Sequence, residues 1–138
     1  MEESTEITQT MHRFYDRLSA KDATAFYELV ELSEATLVLG TAPGEIVREE
    51  ERLRFGFEFE GFTIEAGPGH GAWEEGGVGW YVGEPIVTFP DGTKQAWRMT
   101  TIWHRTATLW KLVHMHASVG VPDEEVAELQ ARWGTAPA

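Results

Sequence analysis

Three histidines lie close together in two neighbouring predicted strands. His114 and His116 are two residues apart, so in a strand their side chains share one face, and His104 in the preceding strand can share it. Imidazole nitrogens are common ligands of zinc. No Asp or Glu at a fixed spacing completes a metal site, so interface histidines are the favoured interpretation. We expect no metal and no other cofactor.

Two acidic residues and one further histidine have the chemistry of a general base. Glu65 and Glu84 lie in predicted strands and would serve if their carboxylates pointed inward, although acidic residues in strands lie more often on a solvated face. His70 lies in the glycine-rich segment 67–71 and is either a base at the mouth of a site or, as the default, a solvent-facing side chain. The same segment lacks the Lys and the following helix of a phosphate-binding loop.

The charge of the chain restricts its partners. Of 138 residues, 11 are Lys or Arg and 23 are Asp or Glu, which gives a net charge of −12. Such a chain repels nucleic acid phosphates and anionic lipid, so we expect neither a nucleic acid nor a membrane partner. The chain has no cysteine, no basic and apolar leader, and no apolar run of about 18 residues. These features favour a cytoplasmic protein, and the length favours one domain, residues 1–138.

The elements that would position these residues begin with two helices. Apolar residues recur every three or four positions, at Ile7, Met11, Phe14 and Leu18 in the first helix and at Ala23, Phe26, Tyr27 and Val30 in the second. Asp22 can cap the second helix. After a short strand at 36–39 and a Pro-Gly turn, a third helix is predicted from Glu45 to about Phe59. A last helix begins at Pro122 and Asp123.

After the third helix the pattern changes to the alternation of a half-buried strand. Strands are predicted at 62–66, around Trp73, at 78–89 and in a long hairpin, 97–119, with glycine-rich turns between them. Consecutive strands joined by short turns indicate a largely antiparallel sheet. The aromatic residues of these strands, among them Tyr81, could stack on a flat ligand, although aromatic residues in a sheet are more often core.

The pairing of the hairpin decides which side chains point inward, because a slip of one residue exchanges the two faces. A three-residue loop, 107–109, places a nearly apolar set on one face: Trp97, Met99, Thr101, Trp103, Val113, Met115, Ala117 and Val119. The other face then carries Arg98, Thr100, Ile102, His104, Leu112, His114, His116 and Ser118. A two-residue loop would mix these sets, and we prefer the three-residue loop.

Three helices ahead of an antiparallel meander predict an α+β domain with helices packed on a strongly curved sheet. The element order, together with residues 37–45 (LVLGTAPGE), 97–101 (WRMTT) and 110–118 (WKLVHMHAS), resembles the nuclear-transport-factor-2-like (NTF2-like, cystatin-like) cone and more closely its SnoaL-like branch. The last segment is also similar to the association domain of calmodulin-dependent kinase. The resemblance implies a cup open at one end, a usual shape for a small-molecule site.

The resemblance also bears on catalysis. The ketosteroid isomerases of this fold carry phenolic and acidic groups where Phe14, Leu39 and Thr101 correspond here, and these three side chains cannot transfer a proton in that way. Tyr15 lies about 100° around the helix from the position that faces the cup. The kinase association domain carries arginines in its cup at positions that correspond to Thr101 and Ala117, and their absence disfavours an anionic ligand.

Three functions therefore remain open. The preferred one is a SnoaL-like protein that binds a small, flat, hydrophobic molecule in an apolar cup. The alternatives are a cofactor-free enzyme, resembling an isomerase, a polyketide cyclase or a hydrolase, and a structural dimerisation module. The expected ligand-binding residues are Phe14, Tyr81, Trp97, Met99, Thr101, Trp103, Val113 and Met115, and no catalytic residue is assigned. The resemblance implies a homodimer formed through the outer sheet face, at Ile102, His104, Leu112, His114 and His116.

Overall fold

Four helices and nine strands make up residues 1–134, the part of the chain that this computed structural model describes. The helices are α1 (Thr5–Ser19), α2 (Ala23–Leu29), α3 (Glu50–Phe55) and α4 (Asp123–Trp133). The strands are β1 (Glu2–Glu3), β2 (Leu37–Leu39), β3 (Ile46–Val47), β4 (Thr63–Glu65), β5 (Gly69–Glu75), β6 (Val78–Gly83), β7 (Ile86–Thr88), β8 (Lys94–Arg105) and β9 (Trp110–Val119). No helix within residues 1–134 is both long and apolar enough to cross a membrane.

The strands form one curled, unclosed sheet around the long strand β8. The order is β1-β5-β6-β8-β9-β2-β3, and β4 pairs with β7, which in turn pairs with β8. The start of β8 pairs with β7, whereas residues 99–104 pair with β6, so that one strand joins both parts of the sheet. All pairs are antiparallel except β2 with β9. The predicted α+β class and largely antiparallel, curved sheet are confirmed.

Helix α1 covers the inner face of the sheet, the face that carries Met99, Thr101 and Trp103. All four predicted apolar positions of this helix are buried, and Thr10 and Tyr15 are buried beside them. The helix begins after Ser4, whose hydroxyl accepts a hydrogen bond of 3.1 Å from the Ile7 backbone N–H. The helical spacing of apolar residues therefore predicts this packing face correctly.

Helix α2 buries two of its four predicted apolar positions, Phe26 and Val30, but its packing face is shifted from the predicted one. Asp22 caps it as expected, because its Oδ1 accepts from the backbone N–H groups of Thr24 and Ala25. The buried residues are Ala25, Phe26 and Leu29, whereas Tyr27 is 46% exposed. A helix of seven residues presents two plausible apolar faces, and packing against β9 selects the one that holds Leu29.

Helix α3 is shorter than predicted. Residues Ile46–Val47 form β3 instead of a first helical turn, and they pair with the end of β2. The backbone N–H of Gly40 donates to the carbonyl of Glu45 over 2.8 Å, which closes the turn between the two strands. None of the residues of α3 is buried, although Leu53 packs against the core while half-exposed.

The predicted strand at 78–89 is broken at Glu84 and Pro85. The backbone N–H of Glu84 donates to the Pro68 carbonyl (2.8 Å), and β7 then pairs with β4 instead of continuing along β5. Proline has no N–H for a sheet ladder, which explains the break at this position. His70 lies in β5 and not in a loop, where the pairing of β5 with β6 is irregular between Gly69 and Gly71.

A β-bulge at Val113 sets the faces of the β8–β9 hairpin. In the half far from the turn, Met99 pairs with Ala117 and Thr101 with Met115, as the three-residue loop predicts. At the tip, the backbone N–H of Thr106 donates to the carbonyl of Leu109 (2.7 Å), so the loop is one residue shorter than predicted. Val113 is the extra residue that compensates for this difference.

The bulge corrects one assignment to the outer face. Leu112 pairs with Trp103 and is 2% exposed, so it lies in the core and cannot form part of an outer surface. The other four residues expected there, Ile102, His104, His114 and His116, are half-buried or exposed. The predicted face therefore holds for these four residues and fails at the residue next to the bulge.

Candidate functional site

Two cavities lie between the inner face of the sheet and the helices, and they share five lining residues: Val38, Gly56, Phe62, Trp97 and Met115. The smaller one, here the inner cavity, has a volume of about 100 Å³ and reaches Phe14 and Met99. The larger one, the outer cavity, has a volume of about 530 Å³ and extends to α3 and the β2–β3 turn. Together they form the cup.

Four of the eight predicted ligand-binding residues line the cup. Phe14 and Met99 line the inner cavity, and Trp97 and Met115 line both cavities. The other four, Tyr81, Thr101, Trp103 and Val113, line neither cavity. The first three of these are at most 4% exposed and belong to the solid core behind the cup, while Val113 is half-buried at the bulge.

A row of aromatic rings leads from the mouth of the cup inward. Phe55 stacks on Phe59 with ring centroids 5.3 Å apart and an interplanar angle of 26°. Phe59 contacts Phe62 at 6.2 Å, and Phe62 contacts Trp97 at 5.9 Å. Phe55 is 56% exposed and Phe59 is 44% exposed, so this aromatic row begins in solvent and ends in the cavity. Such a surface offers flat π faces to a ligand.

Two buried phenols lie behind the cup. Burial raises the pKa of Tyr15 far above its ordinary value, and the neighbouring phenol of Tyr81 raises that pKa further. Burial also raises the pKa of Tyr81. The Tyr15 hydroxyl points to the sulfur of Met99, 3.8 Å away. Both phenols are therefore neutral at neutral pH, and neither lines a cavity.

The three candidate general bases lie outside the cup. The Nε2 atom of His70 is 2.5 Å from Oε2 of Glu84, in a pair that is exposed on both sides. Glu65 lies at the surface, 3.6 Å from the Lys94 ammonium. None of the three lines the inner or the outer cavity. This arrangement provides no general base from among them at the cup.

Two ionisable residues line the outer cavity that the sequence patterns did not indicate. Glu45 follows the β2–β3 turn, and Arg52 lies on α3. The Glu45 carboxylate is folded against Gly40, where a side chain would collide with it. Arg52 gave no signal in the sequence because it lies on the polar side of an exposed helix, and only the placement of α3 over the cup brings it to the mouth.

The outer face of the sheet carries a row of half-buried residues across five strands. Consecutive pairing links Trp73, Trp80, Ile102, His114 and Leu37, which we call the outer row. His114 donates through Nδ1 to the carbonyl of Leu37 over 2.9 Å. At the edge of the row, His104 Nδ1 lies 2.7 Å from the carboxylate of Glu31. These two imidazoles thus have protein partners, and within residues 1–134 no three His, Asp or Glu side chains converge as metal ligands.

Residues 7–122 match the family model described as the SnoaL-like domain. The chain belongs to the SnoaL-like family. No curated protein sequence matches this SnoaL-like domain.

Solved structures agree with the fold of this SnoaL-like domain. An NTF2-like protein of unknown function from Pseudomonas putida superposes with a TM-score of 0.71 at 14% identity, over 90% of this chain and 94% of that chain. An uncharacterised protein with a cystatin-like fold from Caulobacter vibrioides superposes with a TM-score of 0.69 at 16% identity, over 92% of this chain and 96% of that chain. The association domain of C. elegans CaMKII superposes with a TM-score of 0.66 at 17% identity, over 82% of this chain and 92% of that chain. These similarities confirm the NTF2-like, cystatin-like fold.

Proposed function

We propose that this SnoaL-like domain binds a small, flat, hydrophobic molecule in its cup. The observation that carries the proposal is the aromatic row of Phe55, Phe59, Phe62 and Trp97, which runs into the outer cavity of about 530 Å³. Ligand pockets in proteins range from about 300 to 1,000 Å³ and are mostly apolar, with a few polar groups. The outer cavity has this size and this composition.

Binding without chemistry is favoured over the cofactor-free isomerase, cyclase or hydrolase. Proton transfer needs a titratable group within hydrogen-bond reach of the substrate. His70, Glu84 and Glu65 lie outside the cup, and the positions that correspond to the acids and the phenol of an isomerase hold Phe14, Leu39 and Thr101. Glu45 does line the outer cavity, but its carboxylate is folded against Gly40 of the β2–β3 turn. An open cavity also disfavours a purely structural module, whose cup would be filled by its own side chains.

The proposal includes a homodimer formed through the outer row and its flanking histidines, His104 and His116. Half-buried Trp, Ile and Leu side chains on a sheet face are typical of surfaces that a second chain covers. The solved relatives include an association domain, which supports an oligomeric role for this fold. A cytoplasmic location belongs to the same proposal, since the chain has no cysteine.

Native mass spectrometry of the protein purified from cells tests the proposal directly, because it reports the oligomeric state and any bound molecule together. A dimer that releases a flat apolar compound on denaturation is the expected result. A titration with the neutral, flat fluorophore N-phenylnaphthylamine provides the second test. Its fluorescence should rise on binding to the wild-type protein.

A variant that fills the cup makes the titration specific. Met115 is half-buried and lines both cavities, so Met115→Trp should weaken binding of the fluorophore at least tenfold while the protein stays folded. The matched control is Val121→Trp, which adds the same ring at a position 38% exposed and outside both cavities. Equal binding by wild type and Met115→Trp would show that the cup is not the site.

A further inference from the structure

We propose that the molecule held in the cup is an aromatic amphiphile whose carboxylate, or similar anionic group, binds Arg52 at the mouth of the outer cavity. This inference rests on the proposed function, because it names the class of ligand for the same cup. It adds a polar anchor on α3 to the apolar row that leads inward.

Arg52 has little else to bind. Its Nη1 lies 3.4 Å from Oε2 of Glu49, one turn earlier, and both side chains are more than half exposed. The same oxygen of Glu49 also accepts from the Arg48 backbone N–H over 3.4 Å. A guanidinium group has five N–H donors, and this long contact uses one of them. Most of its donors are therefore open to a ligand.

Other arginines of the domain are held more tightly. Arg17 pairs with Asp22 at 2.9 Å. Arg54 bonds both the Glu58 carboxylate and the Tyr27 hydroxyl at 2.9 Å. Neither Arg17 nor Arg54 lines the outer cavity, whereas Arg52 does. The planar fork of an arginine matches a carboxylate with two parallel hydrogen bonds, which suits a flat acid whose ring enters the cavity edge-first.

Glu45 supplies the opposite charge at the same mouth and gives the site a polarity. It lines the outer cavity, and among the described residues it makes no ion pair with Arg52 within 4.0 Å. Arg52 is thus not neutralised by the other charged residue of the mouth. A ligand with one anionic end should place it beside α3 and away from the β2–β3 turn, since a carboxylate beside Glu45 would be repelled.

The expectation that an anionic ligand is disfavoured is therefore revised. That expectation came from Thr101 and Ala117, which occupy the positions of the cup arginines in the kinase association domain. Thr101 is fully buried behind the cup and lines neither cavity, and Ala117, which is 3% exposed, lines the outer cavity with a side chain that carries no charge. In this domain the positively charged side chain that lines the cup is Arg52, which lies on α3 at the mouth of the outer cavity.

Two fluorescent probes with one ring system separate the anionic contact from the apolar one. Anilinonaphthalene sulfonate carries an anionic group, and N-phenylnaphthylamine is the same skeleton without it. Arg52→Gln should weaken binding of the sulfonate about five- to tenfold, which is modest because the mouth is half-solvated, and should change binding of the neutral probe less than about twofold. Arg52→Lys should recover part of the loss, because it keeps the charge but not the fork.

Arg48→Gln is the matched control, because it removes the same charge four residues earlier, before α3 begins, at a position outside both cup cavities. It should change the affinity for either probe less than about twofold. Thermal melting of each variant confirms that the fold is retained. A loss of sulfonate binding that is equal in Arg48→Gln and Arg52→Gln, or absent in both, would overturn the inference.

The same titrations distinguish the two proposals. If the wild-type protein fails to bind the neutral probe, or if Met115→Trp binds both probes unchanged, the proposed function fails and the inference fails with it. If the neutral probe binds in the cup but Arg52→Gln leaves the sulfonate affinity unchanged, the inference alone fails.

Discussion

The indole Nε1–H of Trp103 donates a hydrogen bond of 2.8 Å to the hydroxyl of Thr101, and both side chains are fully buried. The hydroxyl in turn points to the sulfur of Met11, 3.1 Å away. This short polar chain lies in the apolar core directly behind the cup. Each group in this chain is the hydrogen-bond partner of the next, so the loss of one group leaves a buried polar group without a partner.

We expect Thr101→Val to lower the free energy of unfolding by about 1–3 kcal/mol, because it leaves the Trp103 indole N–H unpaired. Urea denaturation measures the change. In Thr101→Ser the hydroxyl remains, so the NMR resonance of the Trp103 indole proton should stay near its wild-type position, whereas in Thr101→Val it should move upfield. The same resonance shift in both variants would contradict the role of the hydrogen bond.

The buried phenol of Tyr15 should make the fold sensitive to alkali. Burial, reinforced by Tyr81, raises the pKa of Tyr15 above the ordinary value of 10.0. The unfolded chain therefore ionises this phenol first, so that its contribution to stability is complete below pH 10.0 and is lost as the pH rises above it. A single group of this kind can lower the free energy of unfolding by up to about 1.4 kcal/mol for each pH unit.

The Tyr15→Phe variant has no phenol to ionise at this position. Its free energy of unfolding should therefore fall less than that of the wild type between about pH 9 and pH 11. Urea unfolding at a series of pH values measures how steeply the free energy of unfolding depends on pH in each protein. Tyr81, whose pKa is also raised, remains in this variant, so a second substitution, Tyr81→Phe, should flatten the dependence further. Identical slopes in wild type and Tyr15→Phe would rule out this source of alkaline sensitivity.

Gly67 lies where the chain passes from β4 to β5 against the backbone of Glu84. A Cβ at this position would collide with the Glu84 carbonyl oxygen, a rigid backbone atom. Gly67→Ala should therefore lower the free energy of unfolding by about 1–3 kcal/mol, as overpacking does elsewhere. Gly120→Ala is the control, since its Cβ meets only Arg98 Cδ at an ordinary 3.6 Å. Equal melting temperatures for the two variants would refute the prediction.

The proposed dimer predicts that a charge in the outer row separates the protomers. Ile102 lies at the centre of this row, and Ile102→Glu should weaken the dimer at least ~100-fold, because two carboxylates would be buried without partners. Sedimentation velocity at micromolar concentration measures the change. Val121→Glu introduces the same charge at an exposed apolar residue outside the row and should leave a dimer. A dimer that persists in Ile102→Glu would place the interface elsewhere.

The sequence predicts well those features that depend on local periodicity. The four apolar positions of α1 and the Asp22 cap of α2 are correct because helical spacing and capping act within a few residues. The pairing of Met99 with Ala117 is also correct, since the apolar alternation of two long strands fixes their register.

Features that depend on contacts between distant elements are missed. The bulge at Val113 carries no glycine to mark it, and it brings Leu112 into the core against the predicted alternation. Arg52 and Glu45 line the outer cavity only because α3 and the β2–β3 turn meet over it. Trp103 and Thr101 face inward as predicted, but the surrounding packing leaves them no cavity to line.

The bulge at Val113 also has a consequence for how this domain can change over evolutionary time. A turn that loses or gains one residue normally exchanges the two faces of a hairpin. Here the bulge absorbs that difference before the strands reach Thr101 and Met115. A tip one residue longer than 106–109 would therefore give the same pairing of Thr101 with Met115 only if the bulge were lost with it, so tip length and bulge must change together.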